Sequence, residues 1–214
     1  MTKQAHSSVV KAAALAAGLG IGLVSCPVFA APASSGETVQ CLYDALLNTM
    51  KNARALGQSG RFTELAPVIH RSFDIASMAR LSVGPSWSAL TDTQRQQMTE
   101  SYGRYISAIY ADRFDGYAGQ KFEIMAEQPA PVGVMVKSQI IIKANGEPVK
   151  ADYLMRRSGD SWLISDIYVD GAISEVATRR SEFAAILRNE GIDGLIAALH
   201  RKADLLTGIT ASAL

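Results

Sequence analysis

Cysteine and histidine are scarce in this 214-residue chain: there are two cysteines, Cys26 and Cys41, and beyond the first few residues the histidines are His70 and His200. That is too few for a zinc cluster or a disulfide scaffold. Charge of one sign is not in excess either, since 21 Lys+Arg face 20 Asp+Glu. A polyanionic partner held by counterion release, nucleic acid above all, is therefore not expected. Long hydrophobic runs are missing as well. The uncharged stretch from Ala12 to Val24 has 13 residues, short of the ~20 that a bilayer-spanning helix requires. What is present is material for a core: 48% of the residues are hydrophobic, enough for one compact domain and too many for a disordered chain.

Residues 1–30 read as a secretory signal peptide. Lys3 and Lys11 flank a basic start, the apolar run follows, and Val28-Phe29-Ala30 places small residues at a cleavage site near Ala30. Leu23-Val24-Ser25-Cys26 resembles a lipobox, which would lipidate Cys26, but Pro27 and the better-spaced second pattern favour plain export. Gly18, Gly20 and Gly22 imitate part of a phosphate loop, yet no strand-to-helix switch accompanies them. The expected organisation is a flexible leader over 31–36, a single α+β domain over 37–206 and a flexible tail over 207–214. Cys41, at helical spacing among apolar residues, reads as a buried inert thiol.

Helical periodicity dominates the first half. Val39, Leu42, Leu46, Met50 and Ala53 recur three or four apart over 37–56, Gly57 and Gly60 close that pattern, and a second stretch runs from Phe62 through His70 with a break or kink expected at Pro67. A short helix over 73–83 ends at Gly84-Pro85. Thr91 with Gln94 forms a capping box that opens a long helix to about Asp115, its inner positions being Met98, Tyr102, Tyr105, Ile106, Ile109 and Phe114. From Lys121 the period falls to two, with Phe122, Ile124, Val134, Val136, Ile140 and Ile142 on one parity of a long strand. Asn145-Gly146 signals a hairpin into Val149–Met155, and Ser158-Gly159-Asp160 turns into a third strand through Val169. Two helices, 174–189 and 192–206, follow around Gly191. The fold class is α+β: helices from both ends of the chain wrapped on a roughly four-stranded antiparallel sheet, cone-shaped.

Catalytic signatures are thin. His200 sits before Arg201-Lys202 on a helix end, where cations suit the dipole, and a lone His70 is more often a satisfied side chain than a base. Asp166, between Ile164 and Ile167, could serve as a buried general base, and with Tyr153 it could imitate the acid and tyrosine of isomerases or hydrolases on similar cone-shaped folds. The plainer reading is an ion pair with Arg156, Arg157, Arg179 or Arg180. The converging apolar positions of the long helix and the sheet are either ordinary core or the lining of a pocket, and periodicity alone does not separate the two. No metal and no cofactor are expected.

Phe73-Asp74, Met78-Ala79, Gly84, Trp87, Thr91 and Gln94-Arg95, followed by Tyr153, Trp162, Asp166, Gly171, Arg180-Ser181-Glu182-Phe183 and Gly191 to Leu195, stand in the order and spacing of MlaC-type proteins, also called toluene-tolerance auxiliary proteins. The chain resembles that family over nearly its whole mature length. The resemblance implies a monomeric periplasmic carrier, not an enzyme, that holds lipid tails in an apolar cavity. It further implies partners: an inner-membrane lipid transporter of ABC or RND type and an outer-membrane lipoprotein complex. The lining it suggests comprises Phe73, Met78, Trp87, Tyr102, Tyr105, Ile106, Ile109, Val134, Val136, Ile140, Ile142, Tyr153 and Met155, closed on one side by Val176 and Phe183, with Arg179 and Arg180 as head-group candidates. One departure is notable: Gly171-Ala172-Ile173-Ser174 carries an extra residue, and Thr178 or Arg179 falls where phospholipid carriers tend to have Tyr. In this the chain looks like the hopanoid-associated HpnM branch, which makes a hopanoid the alternative to a phospholipid. A lipidated scaffold protein at the membrane is the third class.

Overall fold

A computed structural model describes residues 34–142 and 146–208. The expected signal peptide, Cys26 of the lipobox-like stretch and the Asn145 position of the expected hairpin turn lie outside them. Five α-helices and five strands are found among the described residues: α1 Ser35–Lys51, α2 Ala53–Ser72, α3 Ile75–Val83, α4 Asp92–Arg113, β1 Lys121–Pro129, β2 Val134–Ile141, β3 Val149–Ser158, β4 Ser161–Val169, β5 Ile173–Ser174 and α5 Glu175–Thr207, with a 3-10 turn over Gly84–Ala89.

Helix α1 starts inside the expected leader. Ser34 accepts from the Glu37 amide while the Glu37 side chain returns to the Ser34 amide, so a capping box fixes the start and brings Ser35 and Gly36 into the buried first turn. Val39, Leu42, Leu46 and Met50 then face the core, as their spacing predicts. The break expected at Pro67 is absent: Pro67 sits within α2, and the non-helical residue is Gly57 at φ 61°, ψ −171°, near the start of the helix. Glycine alone adopts such a φ readily, whereas a proline needs only local yielding of one turn. The capping box at Thr91 and Gln94 forms as expected and opens α4. At the other end, 174–189 and 192–206 are the two halves of α5, joined at Gly191 with φ 68°, ψ −167°. Thr207, assigned to the tail from sequence, is buried in its last turn. Cys41 is half-buried, and it is not a free thiol.

The sheet has five strands in the order β1-β2-β3-β4-β5, every described pairing antiparallel. The long strand expected from Lys121 is two strands, because Pro129, Pro131 and Gly133 punctuate it. The Ala130 amide bonds the Gly133 carbonyl at 3.1 Å. Gly133 is at φ 90°, and a Cβ there would fall 1.9 Å from the Met155 carbonyl oxygen, so no other residue fits this turn against β3. The fifth strand is the two-residue β5, too short for a period to reveal. A bulge between Ile124 and Ala126 resets the parity of β1. Across the helix-covered face the register aligns Val136 with Tyr153 and Tyr153 with Ile167, and Ala151 with Val169.

Four polar ties fasten the helices to β4. Thr38 of α1 donates to the Trp162 carbonyl at 3.0 Å, and the Asp74 amide, just before α3, donates to the Ile164 carbonyl at 2.9 Å. Asp166 receives the Val176 amide at 3.1 Å and the Ser174 hydroxyl at 2.6 Å, besides the Ile167 amide at 2.8 Å. The ion pair expected for Asp166 is thus replaced: its carboxylate caps the start of α5, where free amides and the positive end of the helix dipole favour an anion. Asp166→Ala should lower unfolding stability by about 2–3 kcal/mol, since amides and a hydroxyl bound to a charged acceptor lose it. Asp166→Asn, which retains an acceptor oxygen, should lose less. Urea melts of both variants check the order.

Candidate functional site: an apolar gap between α4 and the sheet

Helix α4 is held by other helices. Arg104 reaches Asp204 at 2.6 Å, Ser101 meets His200 at 2.9 Å and Gln94 reaches Asp193 at 3.3 Å, all on α5, while Arg61 of α2 donates to the Ala111 carbonyl at 2.7 Å. Packing of α4 is accordingly chiefly on α5, α2 and α3 rather than on the strands. Between α4 and the sheet lies a cavity of about 110 Å³. Its lining is mostly apolar: Tyr102, Ile106, Ile109, Tyr110 and Phe114 from α4, Ile140, Ala151, Tyr153, Ile167 and Val169 from the strands, and Phe73 and Met78 from the α2–α3 region. Three charged residues join them, Arg113, Glu175 and Arg179.

The cavity has a sealed end and an open one. Along α4 the lining recurs at 102, 106, 109 and 113, one face of a helix. Burial falls along it from Tyr102 at 0% exposure and Ile106 at 7% to half-buried Ile109 and exposed Arg113. The strands agree, Tyr153 and Ala151 being buried while Ile140 and Val169 are half-buried. Aromatic rings frame the space in a continuous series: Phe73 to Tyr110 at 5.6 Å, Tyr110 to Phe114 at 5.5 Å, Phe114 to Phe122 at 6.0 Å, Phe122 to Tyr43 at 4.9 Å and Tyr43 to Tyr153 at 5.8 Å. Such contacts favour tilted or edge-on rings and stiffen the wall.

Of the residues expected to contact a ligand, the structure brings Phe73, Met78, Tyr102, Ile106, Ile109, Ile140, Tyr153 and Arg179 to the cavity. Tyr105 and Phe183 are buried behind it, with Phe183 6.4 Å from the rings of both Tyr102 and Tyr105. Val136, Met155 and Val176 are buried in the surrounding core, and Val134 is half-buried against it. Trp87 packs on the core from the 3-10 turn, whose carbonyls at Trp87 and Ser88 are held by Arg95. Ile142 lies beyond β2 and is 48% exposed. Arg180 is also exposed, its guanidinium against Gly84, where a Cβ would come within 2.8 Å of Nε.

Sequence reasoning did not place Tyr110, Arg113, Phe114, Ala151, Ile167, Val169 and Glu175 at the site, Phe114 being read only as an inner position of its helix. The two strand pairs had a usable signal: Ala151 shares parity with Tyr153, and Ile167 and Val169 stand opposite them in register. Arg113 follows Ile106 by seven, the same helical face, and its charge masks that.

Charge at the cavity is arranged unevenly. Arg179 is buried but clasped by two carboxylates of its own helix, Glu182 at 2.5 Å and Glu175 at 3.1 Å. Its guanidinium lies 5.8 Å from the Tyr105 ring, on which Lys202 also sits at 5.8 Å. Burial pulls the Arg179 pKa down, and Tyr105 with the two carboxylates outweighs it, so the net shift is upward. The phenols of the lining are kept neutral. Burial raises Tyr110 and Tyr153 above the ordinary tyrosine range and pushes Tyr102 up to about 12. Tyr153 lines the cavity and Asp166, tied to the α5 backbone, does not, so that particular pair is not assembled there.

Helices closed over one face of an antiparallel sheet, with an apolar cavity that opens at one end, define an α+β cavity protein. The chain belongs to the MlaC family, whose model, described as MlaC protein, matches residues 40–201. Among solved structures it is similar to a phospholipid-binding protein from Ralstonia solanacearum, determined in complex with a phospholipid. The two are 25% identical with a TM-score of 0.69, over 81% of this chain and 99% of that one. No helix among the described residues is long and apolar enough to cross a membrane.

The raised phenols carry a pH signature. Between pH 10 and about 12 the unfolded chain releases the Tyr102 proton while the folded chain holds it, so stability is full below 10 and falls as pH rises through that window. Tyr102→Phe should flatten this alkaline fall in a series of urea melts.

Proposed function

We propose that the protein is a periplasmic phospholipid carrier, taking acyl chains into the gap between α4 and the sheet and passing the lipid between inner- and outer-membrane transport components. The observation that supports it most is the cavity itself, apolar and open at one end, in a chain of the MlaC family whose Ralstonia solanacearum neighbour is a phospholipid-binding protein.

The energetics fit a carrier without a chemical step. A buried methylene is worth ~0.8 kcal/mol, so a 16-carbon chain bare in water costs roughly 12 kcal/mol and two chains about twice that. An interior as apolar as the bilayer makes the exchange nearly thermoneutral, and no nucleotide is consumed by the carrier. Space is the counterweight: about 110 Å³ is below the ~300 Å³ at which pockets for small molecules begin. Loading therefore widens the gap. The arrangement of ties suits this, because α4 is bonded to α5 and α2 and meets the sheet mainly through side chains. A hopanoid, rigid and polycyclic, is the competing cargo, and mass identifies it.

Ile106→Trp and Ile140→Trp each place an indole in the gap. Overpacking costs about 1–3 kcal/mol, so both variants should remain soluble and folded but lose the lipid that accompanies wild-type protein, as read by native mass spectrometry of material isolated from the periplasm. Lipid occupancy equal to wild type in both would show that this face is ordinary core, and a hopanoid mass would replace the phospholipid.

A further inference from the structure

Of the cations Arg113, Arg179, Arg180 and Lys202, three have contacts of their own. Arg179 is neutralised by Glu175 and Glu182, Arg180 lies against Gly84, and Lys202 stacks on Tyr105. Arg113 differs from them in combining three features. It lines the cavity, it is exposed, and among the described residues it has no ion pair or hydrogen-bonded partner. Its place is the last member of the 102–106–109–113 stripe, so its aliphatic stem continues the apolar wall while its guanidinium stands where the wall meets water. Glu175, the acid at the same cavity, is bonded to Arg179, which Glu182 also holds, and neither carboxylate is paired with Arg113 among the described residues.

We infer that Arg113 binds the phosphodiester of a glycerophospholipid whose tails fill the cavity, and that it is the residue by which the protein distinguishes such a lipid from an uncharged one. The inference rests on the carrier reading above. A guanidinium presents a planar fork of donors to two phosphate oxygens. At the open end, that group meets a phosphate only after the tails have entered, so it sets which amphiphile is retained rather than whether hydrocarbon is bound. The last turn of α4 also welcomes a cation by its dipole, but that effect needs neither the cavity position nor the absence of a partner.

The test compares purified full-length mature protein with Arg113→Gln and Arg113→Glu, delipidated and offered vesicles containing phosphatidylglycerol and, separately, the same lipid mixture with diacylglycerol in its place. Bound lipid is read by native mass spectrometry, with circular dichroism confirming the fold. Phosphatidylglycerol retention should fall roughly tenfold in Arg113→Glu, the loss of one charge-assisted contact, and less in Arg113→Gln, while diacylglycerol retention, which senses only the shortened stem, falls far less than that of phosphatidylglycerol in each variant. Millimolar inorganic phosphate should not displace the lipid. Equal loss of both lipids, or unchanged phosphatidylglycerol in both variants, overturns the role of Arg113. So would inorganic phosphate binding at Arg113 with lipid unaffected, which would assign the cation to a free anion. Wild-type protein that takes up neither lipid sinks the carrier reading instead.

Discussion

Strand β4 is where the helical layer is fastened. Within five residues it accepts Thr38 at the Trp162 carbonyl and the Asp74 amide at the Ile164 carbonyl, and through the Asp166 carboxylate it caps α5. Buried hydrogen bonds of this kind are costly to leave unmade, so α1, the α2–α3 junction and α5 cannot drift from the sheet at this point. Among the described residues, helix α4 has no such tie. It hangs from α5 and α2 by Arg104, Ser101 and Arg61, and what separates it from the strands is the volume of the side chains between them. A gap there is the geometric result of fixing one side of the helical layer and suspending the other.

The same constraint explains why the family-like positions are mostly structural. Phe73 reaches the cavity because Asp74 is bonded to β4 on one side and, through its carboxylate, holds the Ser77 amide at 3.1 Å on the other. Gly84 leaves room for the Arg180 side chain, Arg95 holds the turn containing Trp87, and Asp166 caps α5. These residues shape and hang the walls. The walls themselves are made of interchangeable apolar side chains, which suits a hydrophobic interaction that is non-directional and scales with area.

Legibility in the sequence followed the length of each pattern. The stripe of α1, the capping box at Thr91 and the antiparallel β2–β3–β4 meander were readable, because helical and strand periods repeat there several times. Eight of the residues expected at the site do line the cavity, since the inner face of α4 and the parity of β3 both point there. What escaped had a local cause: the turn at Gly133 inside a run of even-numbered apolar residues, the two-residue β5, and the end of the first helix, which falls at Asn52 ahead of the non-helical Gly57. The destiny of charged groups was least visible. Asp166 had several possible partners in sequence and Arg179 was read as one of them or as a head-group contact, and only the fold selects backbone amides for the first and near neighbours on its own helix for the second.

The bulge in β1 has a bearing on how the molecule meets copies of itself. β1 is an outer strand of the sheet, nine residues long, and an unprotected strand of that length is a template on which another polypeptide could pair. The irregular step at Ile124–Ala126 interrupts its row of donors and acceptors, Glu123 and Glu127 place like charges along it, and Pro129 ends it without an amide hydrogen. A sheet left open on this side is in this way shielded from edge-to-edge aggregation, and the hollow behind it can stay greasy without making the outer rim adhesive.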